Sequence, residues 1–561
     1  MTQSYFRWLD LAVEDADIIA ELNEIRNEPD QIQDRFYRGL TFGTGGMRGK
    51  LGAGSNRMNI YTVRQATCGL AEYLLSNSAA PRVAISYDSR HKSHLFAQEA
   101  AKVLSLYGIG VSMFDKLMPT PALSFAVRQL RCDAGIMITA SHNPAVYNGY
   151  KVYNCDGCQI TEKAAEAITQ LILNLDPFNC LPMERSTDPV DTIPESLHEQ
   201  YYQAVLEQRI VQHPQPSRLS VVYTPLNGSG LAPVTGVLKK AGYADVNVVP
   251  SQSMPDGDFP TCPYPNPELP ETLQEGIKLC REIGADIVLA TDPDCDRVGV
   301  AVPDGQGVRI LTGNEVGVLL LDYICRMHQE TATMPPNPIA VKTIVTTKMA
   351  EKVASQYGVA LVNVLTGFKY IGDFIGKLEQ AGEPERFIFG FEESCGYLSG
   401  IYARDKDAVN ACLLICDMAA FCAAKGLTLT QQMDVLYKTY GYYACALDSF
   451  SFDGEHGLYA MREIMRMLRN SSKQNLCGIP VSSRIDYLDG DGKGGALPRS
   501  DVLQYILQDE TLLTVRPSGT EPNLKVYYQV TRDSMEKAEE ALVALRERIK
   551  NCLQEIDQFH A

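Results

Sequence analysis

Basic side chains are scarce in these 561 residues: 51 Lys and Arg stand against 68 Asp and Glu, for a net charge of −17. A chain this acidic, with pI ≈ 5.0, suits neither nucleic acid nor an anionic membrane as its main partner, so neither is expected. Long apolar runs are lacking too. The best candidate, "ACLLICDMAAFCAA", is interrupted by Asp417 and is too short to span a bilayer. The opening "MTQSYFRWLDLAVEDADIIAEL" carries acids inside its apolar pattern and reads as an amphipathic helix, not a secretory leader. Tryptophan occurs once, as Trp8, read as a helix anchor. The Walker pattern is absent, which removes P-loop nucleotide chemistry. The single G-x-G-x-x-G match, "GDGKGG", is followed by Pro498 where a helix should open, so no dinucleotide site is expected. No G-x-S-x-G elbow supports a serine hydrolase.

Cysteine, by contrast, is plentiful at 16 residues scattered through apolar segments. They read as reduced thiols of a cytoplasmic protein. Cys155 and Cys158 have zinc-like spacing, but no second pair answers them, and both read as structural. The length implies several domains. Three regions alternate short Val/Ile-rich strands with helical patterns, as α/β units do. Each has a late apolar strand running into a polar cluster: "TASHNP" at 139–144, "TDPDCDR" at 291–297 and "GFEESCGY" at 390–397. Open α/β sheets bind ligands beyond the carboxyl ends of their strands, so the three clusters are expected to share one cleft. A fourth region reads as strand, turn, strand through "LLTVRPSGTEPNLKVYYQV", then a helix starting near Asp533. Linkers are expected at "VQHPQPSR" and "ATMPPNP".

In "TDPDCDR", Asp292, Asp294 and Asp296 alternate, and an extended backbone would aim all three carboxylates the same way. Calcium in an EF-hand is excluded, because Arg297 and Pro303 stand where that loop needs Gly and Glu. Magnesium beside a phosphate fits, and a solvated acidic turn is the plain alternative. In "TVRPSGTEP", Arg516 offers a planar fork, Ser518 and Thr520 offer hydroxyls, and Gly519 lets backbone N–H groups approach, which suits a phosphate or, more simply, a turn. Glu392, Glu393 and Ser394 suit sugar hydroxyls, while Lys369 and Lys406 suit phosphate or proton transfer. Ser141 alone reads as a turn serine. Beside a metal site, a phosphate nest and a sugar loop, it reads as a carrier of a phosphoryl group.

Taken together these motifs resemble those of the α-D-phosphohexomutases, in family order and over nearly the whole chain. "FGTGGMRG" at 42–49 is similar to the family's N-terminal signature and supplies Arg48. Pro293, and "LTGFKYIG" at 365–372, look like the longer branch that handles glucose and pentose phosphates. The resemblance implies three related mixed α/β domains plus a smaller C-terminal α+β domain around a central cleft, with limits at 1–208, 209–325, 326–440 and 441–561. It implies interconversion of glucose 1-phosphate and glucose 6-phosphate by an intramolecular phosphotransferase, with glucose 1,6-bisphosphate as activator and intermediate. Mannose phosphates, pentose phosphates or synthesis of a hexose 1,6-bisphosphate are the alternatives. Ser141 would carry the phosphoryl group and join Asp292, Asp294 and Asp296 around one Mg²⁺ per chain. Arg48 and Lys151 would stabilise charge near Ser141, with His142, Lys369 and Lys406 as acid–base candidates. Arg516, Ser518, Gly519 and Thr520 would hold the idle phosphate. Thr366, Glu392 and Ser394 would grip the sugar, and Arg297 and Lys369 would also meet substrate. A monomer or homodimer acting on small sugar phosphates is expected.

Overall fold

A computed structural model describes residues 2–558, except 44, 183–188, 212–217, 306, 453, 471–474, 491–496 and 518–522. The first sheet runs Gly46–Lys50, Tyr147–Asn154, Ala134–Ile138, Arg82–Tyr87, Gly110–Met113, Val190–Thr192 in spatial order. The second runs Val308–Leu311, Val298–Pro303, Ile287–Thr291, Val221–Thr224, Val246–Val248, and the third Ala360–Val364, Ile339–Thr343, Phe387–Glu392, Gly396–Leu398. All three have parallel strands at their centre. In each, one fully buried strand ends in a polar turn and returns antiparallel: Ala134–Ile138 pairs with Tyr147–Asn154, Ile287–Thr291 with Val298–Pro303, and Phe387–Glu392 with Gly396–Leu398. The three polar clusters read from the sequence are these turns. Each turn contains one non-glycine residue in the left-handed region, namely Ser141 (φ 53°), Cys295 (φ 50°) and Cys395 (φ 61°). The fourth sheet is wholly antiparallel, Tyr442–Ser451, Asn523–Arg532, Leu512–Pro517, Leu503–Leu507, Ile479–Asp486, Asn475–Leu476.

Several helices begin where a side chain takes up free N–H groups. Asn59 with Thr62 caps Ile60–Asn77, Thr312 with Glu315 caps Gly313–Glu330, and Thr428 with Gln431 caps Leu429–Tyr440, each as a capping box. The opening segment forms two helices, Thr2–Leu11 and Ala16–Glu24, because Asp15 leaves the first and caps the second. Trp8 is buried, edge-on to Phe36, Tyr61 and Phe178, as an anchor should be. The last helix starts at Met535 with Ser534 Oγ accepting from Lys537 N–H, one residue later than the capping pattern at Asp533 suggests. "GDGKGG" and "VQHPQPSR" lie almost wholly outside the described residues.

One core is shared by residues of the first three sheets, and the fourth has its own. Helix Ala408–Ala424 is the centre of the shared core, buried nearly all round, so its continuous apolar composition reflects a protein interior. Among the described residues no single helix is long and apolar enough to cross a membrane. This helix passes only jointly with Leu429–Tyr440, across an 83° bend. Cys477 and Cys552 form a disulfide, which corrects the expectation of uniformly reduced thiols: the turn before Ile479 lies against the last helix with the two Cα atoms 5.9 Å apart. The other fourteen cysteines are free, Cys158 among them, its thiol donating to the Lys369 carbonyl.

Asp417, the lone charge in the long apolar run, explains itself here. Its carboxylate accepts two bonds from Arg209, at 2.9 and 2.8 Å, and one from the Tyr243 hydroxyl at 2.6 Å, joining helix Ala408–Ala424 to the second unit. Removing one partner of a buried pair costs about 3–5 kcal/mol. Asp417→Ala is therefore expected to lower the urea midpoint of the circular-dichroism transition, the shift multiplied by the transition's slope giving a loss of that order, and an unchanged midpoint would show that the network adds nothing.

Candidate active site

The metal-loop carboxylates come together through a turn, not through the pleat of a strand. Beyond Thr291 the N–H groups of Asp296 and Arg297 both donate to Asp292 Oδ1 at 3.0 Å, and Cys295 N–H donates to the Asp292 carbonyl at 2.9 Å. This wraps the chain so that Asp292, Asp294 and Asp296, all fully buried, present ligand oxygens within 4.8 Å of one another. The extended alternation read from the sequence is not what aligns them. Asp294 Oδ1 and Asp296 Oδ1 have no hydrogen-bond partner among the described residues. Burial and the two neighbouring carboxylates push the Asp292 carboxyl well up. Buried, oxygen-only and under-satisfied, the set fits a hard divalent cation, which makes it a candidate metal site.

The neighbours supply compensation from the other two units of the shared core. Lys151 Nζ lies 2.7 Å from Asp294 and 3.5 Å from Asp296, and Lys406 Nζ lies 2.7 Å from Asp296. Thr120 donates to Asp294 at 2.9 Å. Burial disfavours both lysine charges, but the carboxylates outweigh it and raise both groups above the usual lysine range. For Asp294 burial is likewise outweighed, by Lys151, Lys406 and Thr120, and its carboxyl stays below the usual range.

Ser141 stands at the edge of this cluster, buried, with Oγ 3.1 Å from Asp292 Oδ2 and 3.1 Å from His142 Nδ1. Desolvation, then the Arg297 and Arg48 guanidiniums, keep the His142 imidazole neutral well below its ordinary pKa. Arg48, on strand Gly46–Lys50, donates to the Asn143 side chain at 2.9 Å. The tight glycines of "FGTGGMRG" allow that strand its place: a Cβ on Gly46 (φ 140°) would fall 1.9 Å from the Tyr150 carbonyl oxygen.

The sugar-loop turn touches the metal loop directly through a bridge between Arg297 and Gly396. A Cβ on Gly396 would fall 2.6 Å from Lys406 Cδ and 3.1 Å from Glu392, so glycine lets that lysine and carboxylate meet. Burial lifts Glu392 to about 7 against the pull of Lys406 and Arg297. Glu393 turns the other way, accepting from Thr343 and Thr346, both at 3.1 Å. Ser394 is half-buried in the same turn. Arg297 pairs with Glu268 at 2.6 Å.

Beside the triad opens a cavity of ≈ 360 Å³ whose lining includes Arg48, Lys151, Lys369, Arg516 and Lys525, with no carboxylate among the described residues. In a chain of net charge −17 this is a place built for an anion. Thr366 Oγ1 belongs to the same lining and is buried without a hydrogen-bond partner among the described residues. Lys369 Nζ is 2.8 Å from Glu162. Ser518, Gly519 and Thr520 lie outside the described residues, between Arg516 and Lys525 on the two strands of the predicted hairpin. Sequence reasoning missed Lys525, although the strand–turn–strand pattern sets it directly opposite Arg516. It also missed Thr120, Glu268 and Arg90. "YDSR" at the end of strand Arg82–Tyr87 was the available signal for Arg90, since it too ends a parallel strand. Thr120 and Glu268 carried none.

Comparison with known proteins agrees with this geometry. Family models described as phosphoglucomutase/phosphomannomutase, alpha/beta/alpha domains I, II and III match residues 39–178, 199–305 and 312–440. A phosphoglucomutase of Staphylococcus epidermidis is 35% identical over 94% of this chain and 96% of its own. One of Staphylococcus aureus is 36% identical over 88% of this chain and 90% of its own. The open form of the exocytosis-sensitive phosphoprotein pp63/parafusin, a phosphoglucomutase from Paramecium, superposes with a TM-score of 0.67 at 18% identity, covering 93% of this chain and 96% of that one. Four sheets arranged in this way, an acidic triad beside a buried serine, and matches to three successive domain models lead to one conclusion: the chain belongs to the phosphoglucomutase/phosphomannomutase family.

Proposed function

We propose that the chain is a phosphoglucomutase, interconverting glucose 1-phosphate and glucose 6-phosphate through a phosphorylated Ser141 and a glucose 1,6-bisphosphate intermediate. The observation that carries this reading is the position of Ser141 Oγ, 3.1 Å from the buried triad and close to a cavity lined by five basic side chains. Its relatives at 35 and 36% identity bear the name phosphoglucomutase. The domain limits 1–208, 209–325, 326–440 and 441–561 are part of the proposal, supported by each sheet falling wholly inside one span. So are the cytoplasmic location and a monomeric or homodimeric state.

In this reading Ser141 gives its phosphoryl group to the free hydroxyl of a sugar monophosphate. The Oγ–P bond breaks, a bond to the sugar oxygen forms, and the hydroxyl proton is passed on so that the released Ser141 Oγ ends as a hydroxyl. The bisphosphate turns around, and its other phosphoryl group returns to Ser141. Asp292, Asp294 and Asp296, with Ser141, would hold one Mg²⁺, which when bound offsets charge on the transferring oxygens. Arg48 and Lys151 add positive charge on the same side. Arg516 and Lys525, with Ser518, Gly519 and Thr520, hold the idle phosphate, and Thr366 Oγ1 offers it or the sugar a hydrogen bond. Glu392 and Ser394 bind hydroxyls, and Arg297 reaches substrate by releasing Glu268. For the proton, the geometry favours His142: it is neutral and lies against Ser141 Oγ. Lys406 is held charged by its carboxylates, and Lys369 is paired with Glu162.

Glucose, mannose and ribose 1-phosphates assayed side by side, with Mg²⁺ and catalytic glucose 1,6-bisphosphate, are expected to show the glucose ester turned over fastest. Equal or faster turnover of another ester would move the substrate. Ser141→Ala is expected to cut turnover by more than about 10³-fold, and substantial residual activity would remove it as the carrier. A calorimetric Mn²⁺ titration of Asp296→Asn is expected to show binding weakened by at least about tenfold; undiminished affinity would move the metal elsewhere. Arg516→Ala, which loses a charge-assisted bond to phosphate, is expected to raise KM by about 10–100-fold, and an unchanged KM would contradict its role.

A further inference from the structure

The turn that presents Ser141 gathers its carbonyl oxygens on one buried side chain that lines no part of the anion cavity. Arg90 Nη1 donates to the carbonyls of Pro144 and Tyr147 at 2.9 and 3.1 Å. Nη2 donates to that of Ser141 at 2.5 Å and to that of Asn143. The residue is 3% exposed. Its Nε lies 3.3 Å from Asp88, and its guanidinium lies 5.0 Å from the ring centre of Phe259. Asp88 is itself fixed, Oδ1 accepting from Arg90 N–H at 3.0 Å and from the Ser93 hydroxyl at 2.7 Å. The arginine therefore ties the serine turn to the first sheet through Asp88 and to the unit carrying the metal loop through Phe259.

Such a clamp answers a local problem. Ser141 occupies the left-handed region at φ 53°, which a residue with a side chain holds only when its surroundings over-determine it. The backbone bonds inside the turn are few: Asn143 N–H to the Ala140 carbonyl at 3.2 Å, and Tyr147 N–H to that of Pro144 at 3.0 Å. A planar fork can meet four oxygens at once, which an ammonium cannot.

We propose that Arg90 is a positioning residue for phosphoryl transfer: by clamping the carbonyls of residues 141, 143, 144 and 147 it sets where Ser141 Oγ stands against the metal triad. The inference rests on Ser141 being the phosphoryl carrier. Misplacing a reacting atom by about 1 Å is worth roughly 10²-fold in rate, whereas Arg90 itself lines no part of the cavity proposed for substrate. The expected signature is therefore a fall in kcat with KM held.

The test uses the full-length protein and two variants. Arg90→Lys keeps the charge and loses the fork, and Phe259→Leu keeps every hydrogen bond and loses the ring. Amide hydrogen exchange is followed at Asn143 and Tyr147, with Ala134–Ile138 as an internal control, beside kcat and KM for glucose 1-phosphate. In Arg90→Lys the two turn amides are expected to exchange at least about tenfold faster while the control strand does not, a local opening, with kcat lower by about 10²-fold. Phe259→Leu is expected to show a smaller change in the same direction. Unchanged turn exchange with unchanged kcat overturns the proposal, as does a loss of activity matched by faster exchange throughout the first sheet. If the wild type fails to turn over glucose 1-phosphate, the proposed activity falls by itself, and turn exchange alone then decides whether Arg90 positions the loop.

Discussion

Three carboxylates buried within 4.8 Å of one another are the constraint from which much of this structure follows. Charges in a low-dielectric interior have to be compensated nearby or be neutralised. Compensation here comes from outside the loop that creates the need: Lys151 and Thr120 from the first unit, Lys406 from the third. The acidic triad therefore works as a fastener as well as a candidate metal site. It acts beside the shared core around helix Ala408–Ala424 and the bridge between Arg297 and Gly396, which join the same units. Separating the three units would strand a lysine or a carboxylate in each.

The same local device occurs three times. A buried parallel strand ends, a short turn with one residue at positive φ carries polar side chains, and an antiparallel strand returns. The hairpin fixes both ends of each turn, which lets Ser141, Cys295 and Cys395 be held in a conformation that a free loop would relax. Each sheet thus delivers one chemical component to a common place: a serine, a set of three buried carboxylates, a carboxylate and a hydroxyl. The fourth sheet, with its own core, adds Arg516 and Lys525 to the anion cavity.

Most of the site was legible because it lies where apolar strands stop. "TASHNP", "TDPDCDR", "GFEESCGY" and "TVRPSGTEP" stand out as polar punctuation after Val/Ile-rich runs, and that punctuation is chemistry confined to strand ends. What stayed hidden has physical reasons. The carboxylates of Asp292, Asp294 and Asp296 converge through a turn stabilised by Asp292 itself, which alternation in sequence cannot show. Arg90 lies in "YDSR", where a parallel strand ends, which marked its place, but its partners are backbone oxygens, which have no sequence signature, so its role stayed hidden. Glu268 meets Arg297 from a segment with no motif of its own. The disulfide of Cys477 with Cys552 spans 75 residues, and its pairing depends on how the last helix packs. Asp417 was visible only as an interruption; its meaning needed Arg209 and Tyr243.

The central claim is that Ser141 shuttles a phosphoryl group. Incubating the protein with glucose 1,6-bisphosphate carrying isotopically labelled phosphorus, then mapping the label by peptide mass spectrometry, addresses it directly. The account predicts label on the peptide that holds Ser141, and its loss when unlabelled glucose 1-phosphate is added. Label on another residue, or none on the protein while sugar phosphates are still interconverted, would contradict it.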